Sequence, residues 1–142
     1  MLAQVKQGGS VVALAQGGWG DVRAFAEPAM DLSAEVGDPR VWAASAAFLV
    51  TAAAHHGDLA RARELAAEVE RTGAESGNLQ IHGWGLGFLS LVNHLEGDAE
   101  EAVRLAEASV AEMGPRPGAP RRAQLRPRTD ARAAVPVARN AR

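Results

Sequence analysis

Apolar residues return every three or four positions through the first 114 residues, and breaks rich in glycine and aspartate cut that pattern into segments. Spacing of this kind marks one face of an amphipathic helix. The longest apolar stretch, Val41 to Ala54, is interrupted only by Ser45 and Thr51 and is bounded by Arg40 and His55. A spanning helix needs roughly 20 predominantly apolar residues, so this stretch reads as a buried helix and no membrane partner is expected. The pattern predicts helices over Pro39–His55, Leu59–Thr72, Leu79–Leu95 and Ala99–Met113. A weaker pair precedes them, Ser10–Gln16 and roughly Val22–Glu35.

The breaks recur. Gly-Asp pairs stand at Gly20-Asp21, Gly57-Asp58 and Gly97-Asp98, separated by 37 and 40 residues. Aligned on these glycines, Val22, Leu59 and Ala99 correspond, as do Phe25, Ala62 and Ala102, and Ala29, Ala66 and Ala106. Glycine can take the left-handed conformation that ends a helix, and aspartate can cap the next by accepting hydrogen bonds from its free N–H groups. After Asp98, Glu101 stands where a capping box places its carboxylate. Gly37-Asp38-Pro39 supplies a helix end, a cap and a first-turn proline, and Asn78 caps the segment after it. Connections this short predict antiparallel helical hairpins.

Two places conflict locally with a helical reading. Pro28 lies inside the segment after Gly20, so that helix is either kinked or starts near Glu27 with Pro28 in its first turn. Gly83, Gly85 and Gly87 alternate with Trp84, Leu86 and Phe88, and each glycine costs a helix about 1 kcal/mol against alanine. Helix is preferred to strand, because a lone strand here would have no partner. Gly83 and Gly87 then share a face that a neighbouring helix can approach closely.

Composition sharpens the picture. Of the residues, 47% are apolar but only 4% aromatic, which implies a thin core of alanines at tight helix crossings. The absence of cysteine excludes disulfides, thiolate metal sites and a cysteine nucleophile. The net charge of -2 hides a split: residues 1–114 carry 7 basic and 16 acidic side chains, a net of -9, and residues 115–142 carry 8 and 1, a net of +7. The first part is expected to be a helical repeat domain of about 2.5–3 repeats. Residues 115–142, rich in proline, arginine and alanine, are expected to be a disordered tail, because they cannot bury enough surface to offset their ordering entropy. Three readings of the tail stand open: phosphate contacts with nucleic acid, attraction to the acidic repeats, or an out-of-frame extension. Nucleic acid is the disfavoured partner, since the tail has no aromatic residue for stacking.

Glu35-Val-Gly-Asp-Pro39, His56-Gly-Asp-Leu-Ala-Arg-Ala-Arg-Glu-Leu-Ala66 and Glu96-Gly-Asp-Ala-Glu-Glu-Ala-Val-Arg-Leu-Ala106 carry a family resemblance. Paired helices with a glycine before the second and alanines at the crossings resemble the tetratricopeptide repeat, over roughly residues 10–114. The phrases look most like the repeat arms of MalT-like and other LuxR-type regulators with an ATPase module, and of ATPase-linked adenylate/guanylate cyclases. The resemblance implies an all-α fold of hairpins stacked as a short right-handed superhelix, and a sensor or partner-binding role in the cytoplasm of a bacterium. The chain has no phosphate-binding loop, cyclase domain or helix-turn-helix. It also lacks a recognisable polar capping helix, which suggests a fragment of a longer array or self-association through open repeat ends.

Candidate chemistry is sparse, and a non-enzymatic chain without cofactor or metal is expected. His55 and His56 are adjacent and point about 100° apart on a helix; His82 and His94 are twelve positions apart. None has the spacing of a metal pair. No nucleophile elbow is present, and Glu100 with Arg104 reads as an i,i+4 surface pair. In a tetratricopeptide-like hairpin the first helix lines the concave side. That face would carry Ala44, Ala47, Thr51 and Ala54 in one repeat and Trp84, Gly87, Leu91 and His94 in the next. Of these, Thr51, Ala54, Trp84, Leu91 and His94 are the candidate partner-binding residues. Trp84 would anchor a helix or apolar peptide, or would simply pack between repeats. The expected function is a protein–protein interaction scaffold; the alternative is a sensor holding a small effector around Trp84 and Phe88.

Overall fold

A computed structural model describes residues 1–114, the side chain of Leu14 excepted. The expected tail, residues 115–142, lies outside the described residues. Six helices follow one another: α1 (Leu2–Ala15), α2 (Trp19–Glu35), α3 (Pro39–His55), α4 (Leu59–Ser76), α5 (Leu79–Glu96) and α6 (Ala99–Met113). No strand occurs among the described residues, and the glycine-rich stretch 83–87 is helical. No described helix is long and apolar enough to cross a membrane.

The five links are built alike. Gly17, Gly37, Gly57, Gly77 and Gly97 have positive φ and stand twenty residues apart. The residue after each glycine donates its N–H to a carbonyl five positions back: Gly18 to Ala13, Asp38 to Ser33, Asp58 to Ala53, Asn78 to Gly73 and Asp98 to Asn93, at 2.8–2.9 Å. That is the Schellman closure of a helix end, which needs a left-handed residue where only glycine is unstrained. The same residue then caps the next helix. Asp38 accepts from the N–H of Arg40 and Val41 at 3.1 Å, Asn78 from Gln80 and Ile81 at 3.2 Å, and Asp58 and Asp98 each accept one such bond. Gly18, without a side chain, makes no such bond.

This spacing corrects the alignment drawn from the Gly-Asp pairs. Gly20 and Asp21 lie inside α2; the true link is Gly17-Gly18, three residues earlier. Val22 therefore corresponds to Ala62 and Ala102, and all three are buried. The first helix begins at Leu2 rather than Ser10, and α2 runs through Pro28 instead of starting beside it. Burial of Val22, Ala26, Ala29 and Ser33 on one face of α2 outweighs the single helical bond that the proline removes. Gly73 sits within α4, which continues to Ser76. Glu101 does not complete a capping box: its N–H donates to Asp98, but its carboxylate turns to Arg104, which takes Glu101 as partner and not Glu100.

Each helix packs on its neighbours in sequence; α3 also meets α1 and α5, whereas α2, α4 and α6 do not meet one another. The largest core cluster joins Ala26 of α2, Leu49 and Val50 of α3, Ala62, Leu65 and Ala66 of α4, and Val92 of α5. Small residues set the spacing. A Cβ on Gly85 would overlap the Glu70 backbone, and one on Gly73 would overlap the backbone of His82. On the other side of α5, Gly83 and Gly87 lie against Met113 and Ser109 of α6, and the Ser109 hydroxyl donates to the Gly83 carbonyl at 2.7 Å. Arg63 near the start of α4 reaches Asn93 and Glu96 near the end of α5, while Glu70 near the end of α4 meets His82 near the start of α5.

Candidate functional site

The expected groove positions fall on the odd-numbered helices. In the twenty-residue register Gln4 of α1, Ala44 of α3 and Trp84 of α5 are equivalent, forty residues apart in turn. All three line one open cavity of about 370 Å3, together with Gln7, Asp38 and Arg40. Trp84 is half-buried and packs against Ala43, Ala46, Val69 and Ile81, so its indole leans on the core while bordering the cavity.

The other four candidates lie further along the same helices and outside this cavity. Thr51 is half-buried and donates its hydroxyl to the Ala47 carbonyl at 2.9 Å. Ala54 packs at the edge of the largest core cluster. Leu91 and His94 are exposed. Phe88, grouped with Trp84 in the effector reading, packs against the largest cluster instead.

A larger cavity, about 430 Å3, opens between α2 and α4 with α3 beneath it; Trp19, Arg23, Glu27, Ala53, His56 and Arg61 stand around it. The register sets this place beside its counterpart forty residues on. Arg63 of α4 donates to the Asn93 side-chain oxygen at 3.0 Å and pairs with Glu96, both on α5. Hydrogen bonding to Glu96 raises the Arg63 guanidinium above its ordinary value. Arg23 holds the same position forty residues earlier, but Ala53 and His56 occupy the places of Asn93 and Glu96. With no carboxylate at the Glu96 position, Arg23 pairs within α2 with Glu27 at 2.6 Å, although Asp58 also borders the cavity.

Two histidines make contacts between helices. His55 stacks on Trp19 with ring centroids 4.1 Å apart and an angle of 14° between planes. His82 sits between two carboxylates on different helices, Nε2 2.9 Å from Glu70 of α4 and Nδ1 3.5 Å from Glu112 of α6. The two contacts use opposite ring nitrogens, so they bridge three helices and do not converge on a point where an ion could sit. Among the described residues no group of three such side chains is arranged to hold a metal.

Comparisons with protein-family models, with curated proteins and with solved structures find no match. Reasoning from the sequence missed the α2–α4 cavity and the Trp19–His55 stack. A signal that this place differs from its counterpart was present: Arg23 and Arg63 share a position, and the residues at the partner positions differ. Reading it required the corrected register.

Proposed function

We propose that the helices pair as antiparallel hairpins, stack into a short right-handed superhelix resembling that of tetratricopeptide repeats, and form a non-catalytic scaffold for a protein segment. The observation that carries this reading is the meeting of Gln4, Ala44 and Trp84, equivalent residues of three helices, on one cavity. It is supported by the arrangement in which odd helices touch and even ones do not, as expected when the odd set lines the inner side of a curve. Ala44, Ala47, Thr51 and Ala54 make a floor of small side chains along α3, with α1 and α5 as walls. Such a groove takes an apolar helix or extended segment, with Trp84 as the aromatic anchor. A repeat arm in a signalling or transcriptional regulator is the setting that fits this role.

The test is selection of peptides from a random library on the full chain, followed by calorimetric titration. Gln4→Arg and Leu91→Arg change exposed wall residues and are expected to weaken a selected peptide at least tenfold while the melting temperature holds. Selected peptides indifferent to both substitutions would defeat the groove reading.

The α2–α4 cavity favours a second reading, a small-ligand sensor, because its volume falls in the range of about 300–1,000 Å3 typical of ligand sites. A metabolite that raises the melting temperature of the wild-type chain but not of Arg23→Ala would favour it.

A further inference from the structure

We infer that the chain associates head to tail, the outer face of α6 in one copy seating on the outer face of α1 in the next. The contact between α4 and α5 supplies the template. On α4 it uses Arg63, Glu70 and Gly73; on α5 it uses His82, Gly85 and Val92, the last in the cluster with Leu65 and Ala66 of α4. Forty residues after the α4 positions stand Val103, Val110 and Met113 of α6. Eighty residues before the α5 positions stand Leu2, Val5 and Val12 of α1. The same two faces meet between α2 and α3, where Ser33 and Ser45 stand at the Gly73 and Gly85 positions. Each terminal helix thus carries one half of such an interface, with Met113 and Val5 holding the helices further apart than the glycines of α4 and α5 do.

Both halves are apolar and open. Val103, Val110 and Met113 are 58%, 67% and 46% exposed, and Leu2, Val5 and Val12 are 59%, 64% and 56% exposed. Of their register counterparts, Gly73, Gly85 and Val92 are buried inside the chain and Arg63, Glu70 and His82 are half-buried. On α6, Val103 and Val110 stand where Arg63 and Glu70 make polar contacts with α5, the substitution expected of a face that meets apolar side chains instead of polar ones. Charge agrees as well: α1 carries Lys6 and no acidic residue, whereas α6 carries four glutamates against Arg104. Because the two faces differ, the contact is heterologous and propagates from copy to copy, unlike a two-fold dimer in which one face meets itself.

Two doubly substituted full-length chains test this. Val5→Arg with Val12→Arg blocks the α1 face, and Val103→Arg with Val110→Arg blocks the α6 face. All four positions are more than half exposed, so helix content and melting temperature are expected to hold. In sedimentation velocity the wild type should grow past a dimer as concentration rises, and each variant alone should stay a monomer. An equimolar mixture of the variants should form a heterodimer, since each supplies the face that the other lacks. Self-association of either variant alone would show one face pairing with itself, and a wild-type monomer at all concentrations would show another occupant; each result overturns the inference. Growth uses α1 and α6 and not the groove on the odd helices, so a failure of peptide binding leaves it standing.

Discussion

Arg63 crosses from α4 to pair with Glu96 on α5, and its counterpart Arg23 stays on its own helix with Glu27. The two arginines are expected to differ in what their loss costs. Both Arg63 and Glu96 keep more than a third of their side-chain surface in solvent, so their coupling in a double-mutant cycle should be about 0.5–1 kcal/mol. Arg63→Ala should cost more than that coupling, because it also strips Asn93, 6% exposed, of a donor. Arg23→Ala should fall within about 0.5 kcal/mol of wild type. Urea denaturation of the four variants measures all of this; equal costs for Arg23→Ala and Arg63→Ala would refute it.

Glycines inside the helices should answer alanine with opposite signs. At Gly85 and Gly73 the added methyl meets helix backbone, which cannot swing aside. Each change is expected to destabilise by about 1–3 kcal/mol or more. Gly8 and Gly20 have nothing within 4 Å of the place a Cβ would take, and there alanine should stabilise by about 0.5–1 kcal/mol through helix propensity and a less disordered unfolded chain. Thermal melts of the four single variants decide it.

Most of the architecture could be read before any coordinates, and the failures have identifiable causes. The bounds of α3 and α6 followed from Asp38-Pro39 and from Asp98, where cap chemistry is explicit. The first link was misplaced because Gly17-Gly18 lacks the aspartate that marks the others, while Gly20-Asp21 imitates it three residues on. Helix α1 was cut short because Gly8 and Gly9 break its pattern and its valines face outward. The closeness of α5 to its neighbours was legible in Gly83 and Gly87, since a glycine in a helix asks for a reason. Of the five groove candidates Trp84 borders the cavity of about 370 Å3; sequence spacing fixes a shared face but not where neighbouring helices diverge enough to open space.

The Ser10 hydroxyl is fully buried and has no hydrogen-bond partner. Its counterparts show two solutions: Val50 fills the position with an apolar side chain, and Ser90 donates to the Ala102 carbonyl at 2.6 Å. A buried polar group without a partner carries its desolvation cost uncompensated. Ser10→Ala is therefore expected to raise stability by about 1 kcal/mol, whereas Ser90→Ala should lower it by a similar amount. If both substitutions destabilise equally in denaturant titrations, Ser10 has a partner in solution.

Arg104 grips Glu101 through two hydrogen bonds, Nε to Oε2 at 2.6 Å and Nη2 to Oε1 at 2.5 Å. Hydrogen bonding to the guanidinium holds the Glu101 carboxyl below the ordinary glutamate range. A carboxyl whose folded value is depressed binds its proton more readily in the unfolded chain. Its contribution to stability is thus present above the unfolded value and disappears as pH falls through the folded one. The pair is exposed, so that contribution is small and screened by salt. NMR titration of the Glu101 side chain should show a low midpoint that climbs back to the usual glutamate range in Arg104→Ala and moves partway there in 1 M salt. A Glu101 midpoint that does not move in Arg104→Ala would mean that the pair does not hold in solution.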